Sequence, residues 1–109
     1  MSDSSGLNQR PIPSAALADP NSVEMLRVWI AQQKLHCSLK VGMFAEASGV
    51  QEEIAWGTVL ADAARHIANA IELGFGGSSQ ASLRQIRDAF VAELDRPTSD
   101  VEGTFADRN

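Results

Sequence analysis

The densest group of chemically capable side chains is Asp62, Arg65, His66 and Asn69. Asp62 and His66 stand at i, i+4, the spacing at which neighbours meet on a helix surface. A carboxylate there could orient the imidazole as a general base, or the two groups could offer ligands to a metal ion. The bland reading is a solvated helix face with local pairs, each contributing roughly 0.2–0.5 kcal/mol. It is the stronger one, because the other histidine, His36, lies on a separate segment and no Cys/His ligand set exists. His36 and Cys37 suggest a nucleophile with its base. Neighbours in a strand point to opposite faces, however, so Cys37 reads as a small core residue. No catalytic residue, metal ligand or cofactor is assigned.

Two further groups resemble sites only superficially. Gly74, Gly76 and Gly77 precede a helix start, where an anion could bind. They follow a helix rather than a strand and no Walker lysine comes after them, which makes them a helix connector. Arg84 and Arg87 form a small basic spot, but Asp88, Glu93 and Asp95 lie close by and no aromatic residues interleave with it. The six-residue glycine loop is also too long for a helix-turn-helix.

The elements that position these residues follow from periodicity. With 100° per residue, Trp56, Val59, Leu60, Ala63, Ala64, Ile67, Ala70 and Ile71 share one side of a helix, with Asp62, Arg65 and Asn69 on the other. Ser48 and Gln51 have the spacing of a capping box for its start, and Gly74 marks its end. A second helix, capped by Ser78 or Ser79 and stopped by Pro97, carries Leu83, Ile86, Phe90 and Leu94. Upstream, Leu26, Val28 and Ile30 alternate with Met25, Arg27 and Trp29, and Leu35, Cys37, Leu39 and Val41 with His36, Ser38 and Lys40.

The two strands support each other through register. A turn on Gln32 and Gln33 sets Ile30 opposite Leu35, Val28 opposite Cys37 and Leu26 opposite Leu39. Trp29 then meets His36, and Arg27 meets Ser38. Since Gln-Gln lacks glycine, a four-residue loop from Ala31 to Lys34 with the same register is at least as expected. Gly42 to Gly49 reads as a connection with Met43 and Phe44 tucked inward. The architecture is α+β: an antiparallel hairpin followed by two helices packed on its apolar face, ββαα.

The leftover sheet face carries Arg27, Trp29, His36 and Lys40, the candidate contact surface. Trp, Met and Arg are enriched at interfaces, and two unpaired strand edges invite pairing. The alternative is that Arg10 to Pro20, made extended by Pro11 and Pro13, crosses this face as a strap and covers Trp29 with Ile12 and Leu17.

The 109 residues suit one domain, read as residues 10–96, between a loose tail over 1–9 and a polar tail over 97–109. About 80 residues make a marginal core, which a partner subunit would help to complete. One cysteine and the absence of a signal-like apolar stretch near Met1 fit a reducing cytoplasmic setting. No run is apolar enough to span a membrane, and a net charge of −5 argues against nucleic acid as a partner.

The combination of Ala16 to Pro20, ALADP, Val23 to Ile30, VEMLRVWI, and Ala55 to Ala70, AWGTVLADAARHIANA, resembles a family of short bacterial domains of unknown function, seen mainly in proteobacteria. The likeness runs from about Ile12 to Leu94. Its most distinctive pieces are Arg27, Trp29, Trp56-Gly57 and Ala64-Arg65-His66. It implies an α+β fold in the bacterial cytoplasm and brings no catalytic residues. Taken together, the expectation is a non-enzymatic interaction or regulatory module that forms a homo-oligomer or binds another protein. A small-ligand binder or enzyme using Asp62, Arg65, His66 and Asn69 is the alternative.

Overall fold

Alternating apolar and polar residues on either side of a two-residue turn pair the first two strands, β1 (Leu26–Ala31) and β2 (Lys34–Lys40). They are antiparallel in the expected register, with Ile30 opposite Leu35, Val28 opposite Cys37 and Trp29 opposite His36. The turn is the tight one, not the four-residue loop. Gln32 and Gln33 take it with φ of 53° and 63°, the left-handed region that glycine or asparagine usually fills. The computed structural model describes residues 6–99 and 102–106, so the expected loose tail over 1–9 and polar tail over 97–109 lie partly outside the described residues.

The hairpin is followed by helices, as expected, but three short elements join it. A five-residue helix, α1 (Ser14–Ala18), forms inside the strap, fastened by the Ser22 hydroxyl donating to the Ala16 carbonyl at 2.9 Å. What reads as a connection contains α2 (Met43–Ser48), bounded by Gly42 and Gly49 at positive φ. The third is β3 (Glu102–Ala106), which pairs parallel to β2 within the segment expected to be a polar tail. The sheet order is β1-β2-β3, so one of the two edges expected to be unpaired is covered. Gly103 lies so close to the Cys37 carbonyl that a Cβ could not fit.

The long helix, α3, spans Glu52–Phe75. The capping box does not form, because Gly49 ends α2 in the left-handed conformation and displaces the helix start to Gln51, which makes no side-chain cap. The Ser48 hydroxyl instead donates to the Phe44 carbonyl at 2.7 Å. The stop comes two residues later than Gly74, at Gly76 with φ 86°. The second long helix, α4 (Ser79–Asp95), is capped by Ser78, whose hydroxyl accepts from the Ala81 N–H at 3.3 Å.

The main packing contacts join β1 to β2, β2 to β3, α3 to α4 and α2 to α3. Among the described residues the buried hydrophobic side chains are Ala55 and Ala68, both on α3. The ββαα arrangement is the expected one, but the apolar sheet face is only partly closed: Leu26, Cys37 and Leu39 are half-buried, while Ile30 is 81%, Val28 48% and Leu35 38% exposed. The physical reason is that α3 turns Leu60 and Ala64 toward α4, and α2 anchors to the start of α3 through the edge-to-face contact of Phe44 with Trp56, 6.5 Å between centroids. Cys37, expected in the core, is therefore only half-buried.

Candidate functional site

The polar row on α3 is a solvated face. Asp62, Arg65, His66 and Asn69 are all exposed, and the Asp62 carboxylate is taken by the Arg65 guanidinium one turn along. The i, i+4 pairing with His66 that would orient an imidazole is displaced by this i, i+3 ion pair. Arg65 also stands at the rim of an apolar groove of about 370 Å³ between α3 and α4, lined by Leu60, Ala64, Leu83, Ile86 and Phe90. Arg87 forms the opposite rim, 3.8 Å from the Asp88 carboxylate. Among the described residues no three His, Cys, Asp or Glu side chains converge as metal ligands. No helix among them is long and apolar enough to cross a membrane.

The second candidate group shares one sheet face, because the register sets Arg27 beside Ser38 and Trp29 beside His36, with Lys40 next to Met25 through its backbone N–H. The face is partly occupied. Arg27 donates from Nε and Nη2 to the Glu24 carboxylate, both at 3.0 Å, a bidentate pair that keeps the guanidinium in place. The strap runs along the edge of β1, and a groove of about 660 Å³ between them is lined by Arg10, Pro11, Ile12, Leu17, Arg27 and Trp29. Trp29 is half-buried there, while Ile12 and Leu17 of the strap stay exposed. His36 is half-buried, and its Nε2 has no hydrogen-bond partner among the described residues.

The residue that pattern reading missed is Glu52. Its carboxylate accepts from the Gly42 N–H at 2.8 Å, the Ala45 N–H at 3.1 Å and the Trp56 indole N–H at 2.9 Å. One side chain thus ties the start of α2 to the first turn of α3 and orients the Trp56 ring against Phe44. The Gly42 hydrogen bond is the main cause that holds the Glu52 carboxyl below the ordinary glutamate value. Partial desolvation opposes it, and the bonds from Ala45, Trp56 and Phe44 add to it. The available signal was Glu52 and Trp56 at i, i+4; its backbone partners leave no mark in sequence.

The family model of a domain of unknown function, DUF5076, matches residues 9–98, and the chain belongs to that family. No curated protein matches it. A solved structure from the photosynthetic bacterium Rhodopseudomonas palustrus, provisionally named a pyruvate dehydrogenase, is similar at 26% identity and a TM-score of 0.60. The match covers 85% of this chain and 89% of that one.

Proposed function

We propose, from membership in a family that carries no activity with it, that this chain is a non-catalytic interaction or regulatory module of the bacterial cytoplasm that works as a self-associated assembly. One observation carries the reading: large apolar side chains on the sheet and on the helix pair stand open in the single chain, while alanines supply the described buried positions. Open apolar surface on that scale marks a place where another macromolecule sits. Residues 10–96, with β3 joined to their sheet, are the unit that associates.

The surface differs from the Trp29 face that composition favours. Arg27 and Trp29 line the groove beside the strap and are half-buried, whereas Ile30 and Leu35 on the reverse face lie outside that groove and are exposed, as is Val28 at its margin. The activity in the name of the Rhodopseudomonas structure is not extended to this chain. Arg27 and Arg65, which could grip a keto acid, are each engaged by a carboxylate of the same chain, Glu24 and Asp62.

Analytical ultracentrifugation over a wide concentration range tests the proposal. An assembly that dissociates on dilution, with a thermal midpoint that rises with protein concentration, is expected. A strict monomer at high micromolar concentration, with a concentration-independent midpoint, would refute it.

A further inference from the structure

We infer that the open apolar face of the sheet seats the α3–α4 pair of a second copy of this chain, so that two copies exchange layers about a two-fold axis. This rests on the self-association proposed above and specifies its geometry. A sheet with an apolar face needs a second layer to cover it. Here the layer exists in the chain but leaves the Val28, Ile30 and Leu35 part of its own sheet open, while Leu26, Cys37 and Leu39 are half-buried; the main contacts of α3 are with α4 and α2.

The helix pair has the complementary shortage. Ile67 and Phe90 are 52% and 48% exposed, and Leu60, two turns before Ile67 on the same side of α3, is open as well. Stacking sheet on sheet across a two-fold axis would leave this helix stripe wet. Stacking helix pair on helix pair would leave Val28, Ile30 and Leu35 wet. Reciprocal seating of sheet on helices covers both surfaces in both copies and closes the assembly at two, with no apolar face left to propagate it.

The amount of open surface fits such an exchange. The chain exposes 8975 Å², whereas a folded monomer of its mass exposes about 5,900 Å². Even with half of that difference discounted, the remainder exceeds the roughly 800 Å² that one partner contributes to a standard interface. The radius of gyration, 15.9 Å, is likewise larger than the approximately 13 Å of a compact domain of this length.

Cys37 is the single thiol of the chain and lies in the open face, opposite Val28, so it reports on this seating in the full-length protein. Its reaction with a soluble disulfide reagent is expected to slow at concentrations where the dimer dominates. In the Ile67→Cys variant, mild oxidation is expected to give a covalent dimer in which Cys37 of one copy is joined to the introduced thiol of the other. Ile30→Glu, which alters a side chain already exposed in the single chain, is expected to abolish the dimer while keeping the helical circular-dichroism signal. A dimer whose Cys37 reacts as fast as it does in dilute protein, or oxidation of the wild type to a Cys37-to-Cys37 dimer, overturns the exchanged seating but leaves self-association standing. A monomer at every concentration overturns both.

Discussion

Glu52 concentrates more of the local geometry than any residue of the candidate sites, because one carboxylate accepts two hydrogen bonds from α2 and a third from the Trp56 indole of its own helix. Its carboxyl is held below the ordinary glutamate value, chiefly by the Gly42 N–H, which gives the contribution a sign. A group with a depressed folded-state value stabilises fully above its unfolded value, and that stability is lost as pH falls through the folded value. Urea denaturation of Glu52→Gln should therefore give a lower midpoint than wild type at neutral pH, and the gap should narrow on acidification into the range where glutamate protonates. A gap independent of pH would show that packing, not charge, is what Glu52 contributes. The neighbouring expectations fared differently for related reasons. Asp62 and His66 were legible as a spacing, but spacing cannot tell which of two neighbouring donors a carboxylate chooses, and the nearer guanidinium of Arg65 took it.

At the scale of elements, what alternates was readable and what is held from a distance was not. The β1–β2 register follows from matching apolar residues across the hairpin, since a slip of one position would put Val28 and Ile30 opposite the wrong face. The turn could not be chosen the same way. Gln32 and Gln33 both sit at positive φ, where an L side chain costs roughly 1–2 kcal/mol per residue, and no local pattern announces it. Replacing them together, Gln32→Asn with Gln33→Gly, should raise stability by about 1 kcal/mol once the entropy that glycine loses on folding is set against the relieved strain. Thermal or urea denaturation reads this directly, and an unchanged or lower midpoint would mean that the turn is not of this type. The short helix α2 has only Met43 and Phe44 as large apolar residues and is held by Glu52 from the next helix, so it reads as a connection. Strand β3 arises from pairing with the edge of β2 rather than from any alternation of its own.

For the whole molecule, the decisive quantity is the apolar surface that one chain cannot cover. Sequence periodicity marked the sheet face and helix stripes as apolar surfaces, but periodicity cannot say what covers them, and in the single chain they stand partly open. Charge supplies an independent test of how two copies meet. Each chain carries a net charge of −5, and the proposed contact runs through Val28, Ile30, Leu60, Ile67 and Phe90, which bring no opposite charges together. Two such chains repel at long range while attracting at contact. Raising ionic strength shortens the Debye length from about 30 Å at 0.01 M to about 8 Å at 0.15 M and screens the repulsion. The apolar contact itself is little weakened, so the dimer dissociation constant should fall as sodium chloride is added. An interface built on ion pairs, for example from the Arg65 and Arg87 rims to acidic groups of the other copy, would loosen instead. Sedimentation equilibrium at a series of salt concentrations distinguishes the two by the sign of the slope, and weakening with salt would exclude the sheet-on-helix contact as the dominant one.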